Sequence, residues 1–429
     1  MRKNFLFILL FLPLAGGGCD DGGDGGEDDA DAVDILHDEA ETPGDPDTAD
    51  APDTPDTPAE EAHDATPDDE SVEDQPEEET PPAPAPMAFT TNSAYDYSSG
   101  SYSVLLDDLG AARDVAAIHP DAVVRCTQAG PIILERFGAD TVTRIAGESP
   151  FAVLGQFSVE GGSNPVDLAL LSSGRAVVTR NNVTAAAVVD LEGGTLDTTS
   201  LDLEALADAD GIPEMSAVFV AGGRLFVALQ LLDRDTATWD PTGPGLVAVF
   251  DEATLAPVDA DPATEPVDAI TLGGANPQAG AQPSPMDPAA VFVAEAGTYG
   301  AADGGIETID TAALEAGGWI VTEETLGGDI AAFVVVDAGT GWAAVSRPEF
   351  AGDKLVRFDP ADGTIVEDAV IETEAYTLTG LALTEDGRLL VADRTLEHAG
   401  VRVLDAGTGN EAAGSPVEVG LAPFSICAP

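Results

Sequence analysis

Apolar and polar positions alternate in short runs along this chain, and residues 379–409 show the pattern best. Two apolar runs are joined by the pair Asp386-Gly387, and a loop then leads to a third run that ends at Asp405. Asp-Gly between apolar runs is a strong hairpin signal, because a two-residue type I′ turn needs positive φ at both positions. The stretch therefore predicts a three-stranded antiparallel sheet whose first turn is of type I′.

Weaker copies of this pattern recur upstream, and two kinds of residue mark them. A glycine at the first hairpin recurs at spacings of 44, 49, 118 and 46 residues, so the longest gap predicts one unit whose turn lacks glycine. An aspartate closes the third run in most units, and a further unit without it is predicted near Ile145. Seven units of roughly 49 residues are expected in residues 87–429. The glycines are Gly130, Gly174, Gly223, Gly341 and Gly387, and the aspartates are Asp107, Asp190, Asp251, Asp310, Asp359 and Asp405.

Sheets of this size cannot bury both faces alone, so repeated units favour a radial array. We predict an all-β fold, a seven-bladed β-propeller, with six or eight blades as alternatives. The first unit begins in mid-blade with residues 87–92 as its second strand, and residues 422–429 resemble the missing first strand. Strands from both termini would then close the ring and remove the exposed sheet edges.

Cys126 and Cys427 lie on the innermost strands of neighbouring blades in this register, beside the predicted seam. A disulfide between them is favoured if the protein is exported to an oxidising compartment. Two buried, apolar thiols are the alternative, since neighbouring strands can stand too far apart for a disulfide.

The N-terminal segment indicates the expected location. Residues 1–18 hold Arg2 and Lys3, then an apolar stretch too short to span a bilayer, which is typical of a signal peptide. The small residues before Cys19 resemble a bacterial lipoprotein processing site, which implies lipidation of Cys19. A plain secretory signal with an incidental cysteine is the alternative. We expect export to the cell envelope and anchoring to a membrane by lipid, in the outer membrane or at the surface rather than the inner membrane.

Residues 19–86 are expected to form a disordered acidic tether. Between residues 20 and 86 the sequence has 27 Asp or Glu, no Lys or Arg, and repeated Pro-containing words. Such a segment cannot bury enough apolar surface to offset the entropy of ordering. The whole chain has a formal net charge of −63, which disfavours nucleic-acid partners.

Residues 380–394 and 401–409, with the related residues 166–180 and 187–194, resemble YVTN-type β-propeller repeats of bacterial exported and surface proteins. The resemblance covers most of residues 88–429 and implies a propeller that acts as a binding or scaffold module without a shared active site.

Five arginines follow the second strand of their units at nearly equivalent places, on the face where ligands would meet the central channel. Guanidinium groups there suit carboxylate, phosphate or sulfated-glycan ligands. In the alternative, each arginine pairs with a nearby acid and connects neighbouring blades. The predicted ligand-binding residues are Arg136, Arg180, Arg234, Arg347 and Arg394.

Two further groups of residues bear on metal chemistry. Asp208, Asp210 and Glu214 could converge on Ca²⁺, although Asp-Gly followed by Pro is also ordinary turn chemistry. The two domain histidines, His119 and His398, lack zinc spacing and are expected in solvated loops.

The tryptophans Trp239, Trp319 and Trp342 favour packing or loop anchoring over a sugar-binding platform. The sequence contains no phosphate-binding glycine loop, nucleophile elbow or H-E-x-x-H motif.

These features favour a non-catalytic envelope lipoprotein whose propeller binds an envelope protein, a glycan or an anionic small molecule. The alternatives are a purely structural envelope protein and a metal-dependent hydrolase that resembles gluconolactonase-type propellers. Glu214, Asn181 and Asp393 are the residues to test for the hydrolase, although their spacing matches no defined motif.

Overall fold

The computed structural model describes residues 83–236, 238–263 and 267–429. Nearly all of the regular secondary structure in this part is β-strand, with one short α-helix, α1 (Glu323–Leu326), and 3₁₀ turns at Glu204–Leu206 and Pro348–Phe350. The predicted signal peptide, Cys19 and almost all of the predicted tether lie outside the described residues. No helix in the described ranges is long and apolar enough to cross a membrane.

Twenty-eight strands follow one another in the described residues. The first seven are β1 (Pro86–Ser93), β2 (Gly100–Leu106), β3 (Ala111–Ile118), β4 (Ala122–Thr127), β5 (Gly130–Glu135), β6 (Thr141–Ile145) and β7 (Val153–Ser158). The next nine are β8 (Pro165–Leu170), β9 (Arg175–Arg180), β10 (Ala185–Asp190), β11 (Thr195–Asp202), β12 (Met215–Ala221), β13 (Arg224–Leu229), β14 (Leu246–Asp251), β15 (Pro257–Val258) and β16 (Ile270–Thr271).

The remaining twelve complete the domain. They are β17 (Pro277–Pro283), β18 (Ala290–Glu295), β19 (Gly305–Asp310), β20 (Glu315–Thr322), β21 (Asp329–Asp337), β22 (Thr340–Ser346), β23 (Asp353–Phe358), β24 (Ile365–Glu372), β25 (Leu378–Leu383), β26 (Arg388–Asp393), β27 (Gly400–Asp405) and β28 (Ala422–Cys427).

These strands form seven antiparallel sheets, the blades of a β-propeller. Blade 1 has the strand order β28-β1-β2-β3, so the C-terminal strand is its innermost strand, as predicted. Blades 2 to 6 follow along the chain from β4, β8, β12, β17 and β21, and blade 7 holds β25, β26 and β27. The seven innermost strands contact one another in ring order, from β28 through β4 and round to β25.

The hydrophobic core lies between the blades. Seven apolar clusters are found, one for each pair of neighbouring blades. The run Leu389 to Ala392 of β26 is fully buried in this way. A cluster also lies across the seam between blades 1 and 2, where Phe89 packs against Phe151. The ring is therefore closed by burial as well as by strand pairing.

Cys126 of β4 and Cys427 of β28 form a disulfide across this seam, with their Cα atoms 5.5 Å apart. This separation lies within the range that a disulfide tolerates. The bond joins the first complete blade to the C-terminal strand, 301 residues away in sequence.

The hairpin turns differ from the predicted type. Gly387 has a φ of +83°, whereas Asp386 is not among the residues with positive φ. The Gly387 N–H donates to the Thr384 carbonyl, and the Thr384 N–H donates to the Arg388 carbonyl, so a type I turn precedes a left-handed glycine. The predicted type I′ turn was wrong, because only one position needs positive φ at this hairpin.

Gly341 is also not a turn residue, because it lies within β22 and pairs with Val335. Its turn is formed by residues 337–340. A Cβ at position 341 would lie only 2.7 Å from Cε2 of Phe358, so the glycine allows close packing of that ring. The unit without a hairpin glycine is blade 5, whose first turn spans residues 284–289.

The repeated aspartate has a local role in the turn that follows the third strand. Asp190 accepts a backbone hydrogen bond from Gly193 at 2.9 Å, and Asp405 accepts one from Thr408 at 2.8 Å. Asp251 does the same for Thr254. In these turns the short carboxylate replaces a backbone acceptor, whereas Asp107 accepts from the Ala85 N–H instead.

Candidate functional site

One face of the ring is formed by the segments that follow the second strand of each blade, and we call it the loop face. It comprises residues 94–99, 136–140, 181–184, 230–236, 238–245, 296–304, 347–352 and 394–399. The five arginines predicted from the sequence all lie at or beside this face.

Four of these arginines form ion pairs with carboxylates. Arg136 pairs with Asp121, Arg180 with Glu160, Arg234 with Glu214 and Arg347 with Glu372. Arg136 and Arg180 are buried, at 2% and 5% exposure. Buried charges of this kind need partners, and removal of one partner is strongly destabilising. The pairing therefore gives these arginines a structural role, while their ligand-binding role stays a prediction.

Several of the arginines also contact aromatic rings. The Arg234 guanidinium lies 4.7 Å from the centre of the Trp239 ring, and its Nη2 donates to the Asn181 carbonyl at 2.7 Å. Arg136 lies 5.9 Å from the ring of Phe137 and 5.8 Å from that of Phe424. Guanidinium groups attract ring faces, so the arginines hold loop aromatic side chains in place.

Arg394 differs from the other four. It is 6% exposed and forms no ion pair with a carboxylate among the described residues. Its Nη1 donates to the Ala422 carbonyl at 3.2 Å, and three rings surround it, those of Tyr95, Tyr97 and Phe424. The sequence pattern found Arg394 but gave no sign that it differs from the rest.

Three tyrosines and a leucine exposed on the loop face were not predicted. Tyr95, Tyr97 and Tyr299 are 41%, 37% and 43% exposed, and Leu396 is 76% exposed. All four lie in segments after a second strand and outside the seven apolar clusters between the blades. A search of those segments for large apolar residues would have found them.

The predicted calcium residues are engaged with other groups of the protein, and Asp210 and Glu214 share Arg234, whose Nε lies 3.9 Å and 2.6 Å from their carboxylates. Glu214 is fully buried and accepts from Leu232 N–H at 3.0 Å and from Arg234 Nε at 2.6 Å. Asp208 and Asp210 accept backbone hydrogen bonds from Asp210 and Ile212, which is turn chemistry. Within the described ranges, no group of three or more His, Cys, Asp or Glu could hold a metal ion.

The residues to test for a hydrolase are also engaged within the protein. Asp393 accepts from Arg402 Nε at 2.7 Å and from Thr395, and Asn181 donates to Gln230 at 3.0 Å. Burial raises the pKa of Glu214 to about 7, against the lowering effect of its hydrogen bonds with Leu232 and Arg234. Of these contacts, the hydrogen bond between Asn181 and Gln230 connects blades 3 and 4.

The other residues singled out from the sequence have varied surroundings. His398 is exposed, and the ring of half-buried His119 lies 3.2 Å from the backbone of Asp121. Trp342 is fully buried and donates to the Ala406 carbonyl at 2.8 Å, while Trp319 is half-buried beside Gly274. Trp342 is therefore a packing residue, as predicted.

Blade 5 contains a group of buried carboxylates that the sequence did not indicate. Glu295, Glu307 and Glu323 are at most 2% exposed. Glu323 accepts from two backbone N–H groups, at 2.9 Å from Gly304 and 2.8 Å from Ile330. Neither carboxylate oxygen of Glu295 has a hydrogen-bond partner among the described residues.

The electrostatics of these acids follow from their burial. Burial, with the neighbouring Glu307 carboxylate, raises the pKa of Glu295 to about 9. Burial likewise raises the pKa of Glu323 to about 8. Burial therefore favours the protonated form of both side chains in the folded protein.

Solved structures with the same fold come from several bacteria. A candidate 6-phosphogluconolactonase from Bacteroides uniformis has a TM-score of 0.56 and 15% identity, and the match covers 80% of this chain and 98% of that one. A second, from Bacteroides fragilis, has a TM-score of 0.53 and 12% identity over 80% and 97%. These similarities show the fold.

A protein of unknown function from Desulfotomaculum acetoxidans matches with a TM-score of 0.50 and 15% identity, over 80% of this chain and 100% of that one. No family model matches the sequence, and no curated protein does. The resemblance to YVTN-type repeats therefore stays a prediction.

Proposed function

We propose that this chain is an exported, lipid-anchored protein of the bacterial cell envelope whose propeller binds a ligand or a protein partner on its loop face, without catalysis. The observation that carries the binding proposal is the set of exposed apolar side chains there, at positions 95, 97, 299 and 396. Exposed aromatic residues held on a rigid scaffold are typical of binding surfaces.

The arginines support this proposal by holding aromatic side chains, and not as the set of ligand-binding guanidinium groups that the sequence predicted. Arg234 and Arg394 lie against the rings of Trp239, Tyr95 and Tyr97, so they limit the motion of these side chains. A contact residue that is already ordered loses less entropy on binding. The hydrolase alternative gains no support from Glu214 and Asp393, because arginines hold both carboxylates.

Binding is tested with the full-length chain on arrays of glycans, anionic small molecules and envelope extracts. The test variant combines Tyr95→Ala, Tyr97→Ala, Tyr299→Ala and Leu396→Ala, and should lose retention. A matched control combines Met286→Ala and Val366→Ala, which remove exposed apolar side chains from a hairpin turn and an outer strand. Equal retention of both variants, with unchanged thermal unfolding, would refute binding through the loop face.

The anchor is tested separately through Cys19. Labelled palmitate should enter the wild-type chain in a bacterial host that processes lipoproteins, and Cys19→Ser should abolish both the label and membrane fractionation. Label retained in Cys19→Ser would contradict lipidation at this residue.

A further inference from the structure

Arg394 is a buried cation whose hydrogen-bonding groups are not all used. It follows β26, and its backbone N–H donates to the Thr377 carbonyl at 2.8 Å. Its side chain makes a single hydrogen bond, from Nη1 to the Ala422 carbonyl, among the described residues. A guanidinium has five N–H donors in a planar fork, so Nε and Nη2 are left for another partner.

The acidic residues next to Arg394 and its tyrosines in sequence, and Asp121, which interacts with Tyr97, already have partners within the protein. Asp393 is held by Arg402 and Thr395, and Asp121 is held by Arg136. Asp96, between the two tyrosines, accepts from Ser98 N–H at 3.0 Å. The charge of Arg394 therefore has no carboxylate partner in the part of the chain that the structure describes, and burial lowers the pKa of this side chain.

The surroundings of Arg394 have an apolar floor and an accessible rim. Its guanidinium carbon lies 5.5 Å from the ring centre of Phe424, which is buried, and 5.6 Å and 5.8 Å from those of Tyr95 and Tyr97. The Tyr97 and Phe424 rings meet edge to face at 6.1 Å. Both tyrosines are more than one-third exposed, so part of each residue is accessible to solvent, while burial raises the pKa of both hydroxyl groups.

We propose that Arg394, Tyr95 and Tyr97 form a binding site for a small ligand in which a carboxylate is attached to a ring. The free edge of the guanidinium receives the carboxylate, since the two planar groups match in a bidentate pair. The exposed tyrosine rings stack against the ligand ring. A cationic ligand does not fit, because Arg394 already supplies the positive charge that these rings attract.

This inference rests on the proposed function and narrows it to one place on the loop face. Two sources share the required chemistry, an acidic sugar and an aromatic acid. Calorimetric titration of the full-length chain with glucuronic acid and with benzoate distinguishes them. Glucose is the neutral probe for glucuronic acid, and benzyl alcohol is the neutral probe for benzoate. The acid that represents the true ligand class should bind at least about tenfold more tightly than its neutral probe.

Variants separate the charge from the rings. Arg394→Gln should weaken binding of the acid by about tenfold or more while leaving the neutral probe unchanged. Tyr95→Ala with Tyr97→Ala should weaken both. Arg113→Gln is the control, because Arg113 is an exposed arginine of outer strand β3 and should leave all affinities unchanged.

The outcomes separate this site from loop-face binding in general. The site is overturned if acid and neutral probes bind with equal affinity, or if Arg394→Gln binds the acid as tightly as the wild type does. Loop-face binding still stands in that case if the four-residue variant loses retention on the arrays. Loss of all array binding in the wild type would overturn the proposed function itself. If Arg394→Gln fails to fold, the site is tested by NMR on the wild type. The site is overturned if the tyrosine ring resonances do not shift when either acid is added.

Discussion

The buried carboxylate of Glu295 should make the stability of this propeller depend on pH in an unusual direction. In the folded chain burial and Glu307 raise the pKa of Glu295 to about 9, from an ordinary value of 4.5. The folded state therefore binds one more proton than the unfolded state between these pH values. Stability from this group is fully present below pH 4.5 and is lost as pH rises toward 9.

The magnitude follows from the proton count. One extra proton in the folded state lowers the free energy of unfolding by about 1.4 kcal/mol per pH unit. Between pH 6 and pH 8 the loss attributable to Glu295 is therefore about 3 kcal/mol. Glu295→Gln replaces the acid with a neutral group of the same shape, so it should remove this slope and stabilise the protein at pH 8.

Urea unfolding at pH 6, 7 and 8 measures the effect directly, with wild type and Glu295→Gln compared at each pH. Glu315→Gln is the matched control, because Glu315 begins the exposed end of strand β20 in the same blade. The control should run parallel to the wild type. If the free energy of unfolding falls with pH equally in Glu295→Gln and in the wild type, Glu295 is not a buried, protonated acid. This holds whatever the absolute stabilities of the two proteins are.

Three further predictions concern packing and closure. Cys427→Ser should lower the free energy of unfolding by about 5 kcal/mol, because the disulfide closes a very long loop, and urea unfolding under oxidising conditions measures it. Gly341→Ala should lower the melting temperature through collision with Phe358, at a cost of about 1 to 3 kcal/mol, whereas Gly339→Ala in the adjacent turn should not. Trp342→Phe leaves the Ala406 carbonyl without its donor and should cost about 1 to 3 kcal/mol by the same assay.

The fold was predictable because its signals are local and repeated. The Asp at the end of a third strand completes its own turn, so every blade that needs the turn tends to keep the residue. The pairing of the C-terminal strand with the first blade was also predictable, because residues 422–429 resemble the first strand of another unit. Gly341 was wrongly predicted as a turn residue because close packing against Phe358 also selects glycine, and one sequence cannot distinguish the two causes.

The candidate site was less predictable, because its properties depend on contacts between residues that are far apart in sequence. Spacing found all five arginines but not the acids that pair with them. Arg180 pairs with Glu160 and Arg347 with Glu372, and no periodicity in the sequence links these positions. The raised pKa of Glu295 also requires knowledge of burial. Its sequence neighbours Ala294 and Ala296 are apolar, which is compatible with burial but equally with an exposed strand end.

Closure of the ring and formation of the Arg394 site depend on the same strands. Tyr95 and Tyr97 follow β1 near the N-terminal end of the domain, while Ala422 and Phe424 lie on the C-terminal β28. Arg394 meets both groups only when β28 completes blade 1 beside blade 7. The disulfide lies on the other side of β28, toward β4, so it holds the strand that supplies the floor of the site. Loss of the disulfide should therefore weaken ligand binding, although neither cysteine belongs to the site.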